Sequence, residues 1–317
     1  MIVTLTANPS VDRTLEIPEL KRGEVVRATA ARVHPGGKGV NVARALVANG
    51  IPARAVLPAG GHEGDQLLNL LAGLGVDVVP VRIAEPVREN VTVVEPDGTV
   101  TKLNAPGPRV SPEEAAALVE ATVRAAMGAD WVALCGALPP GAPDDLYASL
   151  VAELRRAGVR VAVDTSGPAL GSSIDADPDL VKPNADELAE AVGRPIETVR
   201  DAIDGAHVLL DRGVGHVLVS LGKGGALSVS NGAVLRAWTA PVLPRSTVGA
   251  GDAALAGFLA ANADSPQALR NAVAWGAAAV RLAGTGMPGP ADIHVEEVRV
   301  EELDAAGSPG EGTRRIG

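Results

Sequence analysis

The sequence is poor in aromatic residues and in cysteine, and both scarcities narrow what the chain can be. Phe, Tyr and Trp make up 2% of its 317 residues, so Ala, Val and Leu must fill any core, within a hydrophobic fraction of 46%. Small apolar side chains at that density suit helices laid closely on a sheet. The single cysteine, Cys135, excludes an intrachain disulfide framework and a Cys-based metal cluster, which makes the cytoplasm the simplest setting. No uninterrupted apolar run is long enough to span a bilayer. The opening MIVTLTA has neither the charged n-region nor the long h-region of a secretory leader. Cations are in deficit too. Lys and Arg number 28 against 38 Asp and Glu, a net charge of −10 that argues against nucleic acid or an anionic membrane as partner. An anionic substrate then needs basic residues gathered locally. No internal repeat is present.

What the chain does hold is glycine, 37 residues of it, in clusters that follow strand patterns and precede helix patterns. The most telling cluster is Ser246-Thr247-Val248-Gly249-Ala250-Gly251-Asp252, ahead of the Ala- and Leu-rich run 253–261, which predicts a helix beginning at or near Asp252. Unpaired N–H groups at such an end attract anions, and glycines let a phosphate approach the backbone. A carboxylate there repels that phosphate unless it takes a proton from the attacking hydroxyl; the plain alternative is a helix cap.

A second cluster, His34-Pro35-Gly36-Gly37-Lys38-Gly39-Val40-Asn41, leads into the helical run 42–48. It departs from a Walker A loop, because Gly39 rather than Ser or Thr follows Lys38. Lys38 and Asn41 among three glycines read as a substrate site, against a plain strand-to-helix turn. A third stretch, Val181-Lys182-Pro183-Asn184-Ala185-Asp186-Glu187, brings Asn184 and Glu187 within one helical turn. The pair can hold a hydrated Mg²⁺, or it can be a capping box. Asp12, placed at the carboxyl end of the first strand (2–6), is a candidate for sugar hydroxyls or an Asx-turn acid. Arg88, entering a hairpin around Pro96-Asp97-Gly98, is a phosphate ligand or an ordinary surface arginine.

Between these stretches strand and helix patterns alternate, which predicts a mostly parallel α/β sheet with helices on both faces. The expected helices include 112–127 and 143–156, with strands at 131–135 and 159–163. Segments 14–33 and 90–103 instead alternate polar and apolar residues, reading as strands of a small separate sheet inserted at about 12–34 and 88–104. One domain over 1–303 is expected, with 304–317 as a disordered tail.

Taken together, the GGKG-V-N turn, the TVGAGD run and Asn184-x-x-Glu187 resemble the ribokinase/PfkB family of carbohydrate kinases, from Met1 to about residue 290. The resemblance implies a ribokinase-like fold with the small sheet as a lid, Mg²⁺ as cofactor and ATP as co-substrate. It implies Asp252 as catalytic base, with Gly249, Ala250 and Gly251 as its anion hole. Asp12, Gly37, Lys38, Asn41 and Arg88 fall on sugar-phosphate positions, Ser220, Gly222, Thr247 and Gly249 on nucleotide positions, and Asn184 and Glu187 on metal positions reached through water. NPS-V-D near the start, Lys38 and LPPG are similar to the hexose-phosphate branch. The reaction implied is transfer to a ketohexose phosphate, first fructose 1-phosphate, with fructose 6-phosphate and tagatose 6-phosphate as alternatives. A sugar-phosphate-binding regulator with weak catalysis is the competing class, and the intact Asp252, Asn184 and Glu187 argue against it. Lid-to-lid homodimers are common among such kinases. Cys135-Gly136-Ala137 departs from the family's Ser-Gly-Ser, and Ala253 from its Ser.

Overall fold

The computed structural model describes residues 1–261, 265–282 and 284–303, so the expected tail lies outside the described residues. In chain order the strands are β1 (Ile2–Thr6), β2 (Ser10–Glu16), β3 (Ala30–Gly36), β4 (Ala53–Ala59), β5 (Asp77–Arg82), β6 (Arg88–Val94) and β7 (Val100–Asn104). They continue with β8 (Trp131–Cys135), β9 (Arg160–Asp164), β10 (Leu180–Val181), β11 (His216–Ser220), β12 (Ala226–Ser230), β13 (Val234–Trp238) and β14 (Arg299–Leu303). The helices are α1 (Lys38–Ala48), α2 (Gly61–Gly73), α3 (Pro112–Ala125), α4 (Leu146–Arg156), α5 (Gly167–Ile174), α6 (Ala185–Val192), α7 (Val199–Asp211), α8 (Ala250–Ala260) and α9 (Pro266–Arg281). None of the described helices is long and apolar enough to cross a membrane.

The large sheet runs β14-β13-β12-β11-β10-β9-β8-β1-β4-β5, parallel from β11 to β5 and antiparallel from β11 to β14. The chain leaves β1 toward β4 and β5, then returns to pair β8 on the other side of β1. That reversal opens a crevice at the carboxyl ends of β1 and β8, where ligands settle in such sheets. Side chains alternate between two cores. Val132, Leu134, Val161 and Val163 point to the face covered by α3, α4 and α7, whereas Ala133 and Ala162 point to the face that carries α1, α8 and α9. Alanines on that second face let α1 and α8 lie close to the strands.

Helix α8 is held down in turn by α9. A Cβ on Gly257 would stand 2.8 Å from the backbone oxygen of Asn271 and 2.8 Å from the Trp275 ring, and one on Gly276 3.3 Å from Ala250 O. Glycine at 257 is therefore what allows the two helices to touch, and α8 begins at the candidate site.

The small sheet runs β3-β2-β6-β7, with β2 and β6 parallel and the other pairs antiparallel. Its first inserted segment starts two residues earlier than expected, at Ser10, and ends at Gly36 rather than 34. The alternation read across 14–33 resolves into two strands, because only its ends find partners. Asp12 consequently sits within β2 and not at the end of β1: the chain turns at Asn8-Pro9 and re-enters a strand at once. Helix α4 starts at Leu146 instead of 143, and α5, α7 and β14 had no expectation. Helix α5 is only eight residues long and β14 is an edge strand rich in Glu, so both carry weak periodicity, whereas α7 has a clear signal that the sequence reading missed, a Thr198 cap followed by apolar Ala202, Ile203, Ala206, Leu209 and Leu210 on one face.

Gly257→Val is expected to destabilise the fold by about 1–3 kcal/mol through overpacking. By contrast Gly73→Ala, in α2 with open space at its Cβ position, is expected to stabilise by about 0.5–1 kcal/mol. Urea midpoints read both, and equal effects would refute the close-packing argument.

Candidate active site

Helix α8 begins at Ala250, two residues before Asp252, with Gly249 as its N-cap in the left-handed conformation at φ 79°. No side chain caps it. Ala253 N–H makes the first intrahelical bond, to Gly249 O at 2.8 Å, so the N–H groups of Ala250, Gly251 and Asp252 precede the helical ladder. Unpaired N–H groups and the helix dipole at such an end favour an anion.

Asp252 is thus no cap. It lies on the third helical residue, 7% exposed, and its Oδ2 accepts a hydrogen bond from Asn41 Nδ2 at 2.8 Å. Burial pushes its carboxyl pKa up to about 6, helped by the neighbouring Asp164 carboxylate and opposed by the Asn41 bond and by Lys38 and Lys182. A carboxylate with that affinity for protons is suited to a general base near neutral pH.

Asn41 is presented by the turn that starts α1. Gly37 there has φ 116°, and a Cβ would stand 2.6 Å from Thr6 Cγ2, so the turn needs glycine twice over. The contact joins the two glycine turns through residues that lie 211 positions apart.

Asp164, the last residue of β9, lies wholly buried beneath this pair. Lys38 Nζ donates to its Oδ1 at 2.8 Å and Lys182 Nζ stands 3.1 Å from its Oδ2, an ion pair whose angle falls short of a hydrogen bond. Burial raises the Asp164 pKa, but Lys182 and then Lys38 outweigh it and hold the carboxyl below the ordinary value. Burial likewise works against the Lys38 ammonium, and Asp164, Glu187 and Asp252 overcome it, raising the Lys38 pKa. Sequence reading missed Asp164 and Lys182 as site residues. Their signal was positional, since each sits at the carboxyl end of a parallel strand.

Asn184 and Glu187 do form a capping box on α6. Asn184 Oδ1 accepts from Glu187 N at 2.8 Å, and Glu187 Oε2 accepts from Asn184 N at 2.9 Å. Glu187 Oε1 remains outside the box, 3.5 Å from Lys38 Nζ. A parallel bridge sets Asn184 beside Ser220, at the end of β11. Gly222 follows in a one-turn 3₁₀ helix at φ 56°. Thr247 is exposed in the segment before α8.

In the small sheet, Asp12 Oδ1 accepts from Ser10 Oγ at 2.7 Å and Asn90 Nδ2 at 3.0 Å. Its Oδ2 lies 2.3 Å from where a Cβ on Gly36 would be, which reserves that position for glycine. Arg88 is engaged with the backbone, donating through Nη1 to Ala105 O and through Nη2 to Asn8 O, both at 2.9 Å. Cys135 is buried under the site, and the Tyr147 hydroxyl approaches its carbonyl at 2.9 Å.

The profile of pfkB family carbohydrate kinases matches residues 5–292. The chain belongs to the PfkB family of carbohydrate kinases. It is 40% identical over 306 residues to a 1-phosphofructokinase of Haloferax volcanii, covering 95% of this chain and 98% of that one. It is 38% identical over 296 residues to the 1-phosphofructokinase of Rhodobacter capsulatus, covering 91% and 93%. Among solved structures it is similar to phosphofructokinase-2 from Escherichia coli in complex with substrates and products, at a TM-score of 0.85 and 33% identity over 92% of this chain and 96% of that one. The ribokinase-like α/β fold, with a large sheet between helices and a small separate sheet, is that of a PfkB kinase.

Because the folded pKa of Asp252, about 6, lies above the ordinary 3.8, ionising it costs the fold stability. That cost is absent below the ordinary value and complete above the folded one. Asp252→Asn is therefore expected to melt higher than the parent protein at pH 7.5, with the difference closing as pH falls through 6 toward 4. A difference in melting temperature that stays constant across pH would overturn this account.

Proposed function

We propose that this kinase transfers the terminal phosphoryl group of ATP to the 6-hydroxyl of fructose 1-phosphate, giving fructose 1,6-bisphosphate. The observation that carries the reading is the buried Asp252 carboxylate at a helix N-terminus, bonded to Asn41 of the glycine turn. Asp252 takes the hydroxyl proton as the oxygen attacks in line, and the N–H groups of Ala250, Gly251 and Asp252 stabilise charge on the moving phosphoryl group. Lys38 and Lys182 add two cations beside them. Since Lys38 faces Asp164 and Glu187, we assign it to the transferred phosphate, and leave the phosphate of the sugar to Arg88. Asp12, with one oxygen already fixed by Ser10 and Asn90, offers the other to sugar hydroxyls. Ser220, Gly222, Thr247 and Gly249 line the nucleotide side.

The residues present fit Mg²⁺. Among the described residues no group of three or more His, Cys, Asp or Glu could hold an ion by itself, and magnesium asks for none, since it binds through one or two carboxylates, waters and substrate phosphates. Glu187 Oε1 and the exposed Asn184 amide would hold it through water, and when bound it supplies neutralisation of phosphate charge. Two relatives named 1-phosphofructokinase support the substrate, and the likeness to phosphofructokinase-2 of Escherichia coli in complex with fructose-6-phosphate keeps that sugar phosphate as the second reading. One domain with the small sheet as a lid, working in the cytoplasm where ATP is available, is the setting this reading expects.

A panel of hexose monophosphates with ATP decides the substrate: fructose 1-phosphate is expected to give the highest kcat/KM, and a lead for fructose 6-phosphate or tagatose 6-phosphate refutes it. On the best substrate Asp252→Asn is expected to lower kcat by roughly 10²-fold or more while ATP still binds. Near-parental kcat in that variant refutes Asp252 as the base. We further propose a homodimer through the lid, supported by the exposed Val100 and Leu103 of β7 with Leu20 and Val25 nearby in sequence to β2. Light scattering is expected to show a dimer that Leu103→Asp weakens, and a monomeric parent protein would exclude it.

A further inference from the structure

Arg44 is a cation almost sealed from water, 8% exposed, on α1 one turn beyond Asn41. Its guanidinium reaches three separate parts of the chain. Nη1 donates to Asn41 Oδ1 at 3.0 Å and to Pro35 O at 3.1 Å, and Nη2 donates to Thr285 O at 2.9 Å. Pro35 belongs to the strand leading into the glycine turn, whereas Thr285 lies in the segment that brings Met287 against Gly249, the N-cap of α8. Arg44 thus stands between the sugar-side turn and the start of the phosphate-side helix. No step of the proposed phosphoryl transfer uses it directly.

We propose that Arg44 is a positioning residue that fixes the Asn41 side-chain amide in the one orientation that donates to Asp252. The proposal rests on Asp252 being the base. A guanidinium has only donors, so it must face the oxygen of the amide and not its nitrogen. With Oδ1 taken by Arg44, the NH₂ end is left pointing at Asp252 Oδ2, and the observed 2.8 Å contact follows. That contact favours the ionised carboxylate, the form able to accept a proton from substrate. Without Arg44 the amide is free to turn about its broad, two-fold terminal torsion and present oxygen to the carboxylate. Two acceptors facing each other then share a proton, and Asp252 stays protonated to higher pH.

The other charged and titratable groups around Asp252 are Lys38 on α1, Asp164 at the end of β9, Lys182 after β10 and the Cys135 thiol of β8. Asp12 on β2 is the second carboxylate felt by Arg44. None of these others touches the Asn41 oxygen, so the orientation of the amide depends on Arg44. The Arg44 charge itself also favours ionised Asp252, and its loss acts in the same direction as the amide turn.

The test is the pH profile of kcat at saturating sugar phosphate and ATP for the parent protein and Arg44→Met. Titration of the two substrates is common to both, so a difference between the profiles belongs to the enzyme. The acid limb of Arg44→Met is expected to move up by about one pH unit, the size that losing one hydrogen bond to a charged group corresponds to. Activity lost at pH 7 should return toward the parental level at pH 8.5, which general damage to the fold would not allow. In an Asn41→Leu background, Arg44→Met should move the limb much less, because the path through the amide is already gone. An unmoved limb in folded Arg44→Met, or a shift as large in the Asn41→Leu background, overturns the proposal. Should Arg44→Met fail to fold, the ¹⁵N resonance of the Asn41 amide in the parent protein decides. It is expected to titrate with the same midpoint as the limb, and a resonance that does not move overturns the proposal. Failure here leaves Asp252→Asn inactive, whereas failure of the base reading leaves Asp252→Asn active whatever Arg44 does.

Discussion

The hydrogen bond from Asn41 to Asp252 is the constraint around which the molecule is arranged. It is a contact between two helices that lie on the same face of the sheet, and it requires both N-termini to meet at one point above the crevice. Alanines at 133 and 162 let those helices settle close to the strands. Gly257 lets α9 press α8 into place, and Gly37 lets the chain turn tightly over Thr6 to deliver Asn41. A side chain larger than hydrogen at either glycine moves one partner away from the other.

The second constraint is electrostatic. Two ammonium groups and three carboxylates occupy the crevice, and the wholly buried Asp164 is stable as an anion only because Lys38 and Lys182 flank it. The same Asp164 charge, together with burial, keeps Asp252 a stronger base than an exposed aspartate. One buried acid therefore does two things: it gathers Lys38 and Lys182 near the start of α8, and it adjusts the proton affinity of its neighbour. The net charge of −10 is no obstacle to an anionic substrate once the cations are concentrated in this way.

Much of the site was legible because glycine-rich turns before helices have few other uses. Gly249-Ala250-Gly251-Asp252 and Gly36-Gly37-Lys38-Gly39 were each readable as anion or substrate turns from residue type alone. The direction of each side chain was not. Lys38 pairs with the buried Asp164, Arg88 takes two backbone carbonyls, and Asn184 with Glu187 closes a capping box while leaving one carboxylate oxygen over. In all three cases the deciding partner is far away in sequence, or competes with a local hydrogen bond of similar strength. Asp164 and Lys182 were passed over for the same reason. A single acid or lysine after a strand has no meaning until the neighbouring strand ends are known.

By itself the sequence determined the alternation of strand and helix, the parallel sheet, the inserted small sheet and the two glycine turns that open α1 and α8. These follow from short-range periodicity and from backbone conformations that glycine alone adopts easily. Only the tertiary structure decided that Asp252 faces Asn41 instead of capping its own helix, that Asp12 stands in a strand of the small sheet, and that Arg44 takes the oxygen of the Asn41 amide. Those outcomes depend on burial and on partners brought from distant segments. Removing water is what turns an ordinary aspartate into a base with a pKa near neutrality, and no local pattern of residues encodes which atoms will be left dry.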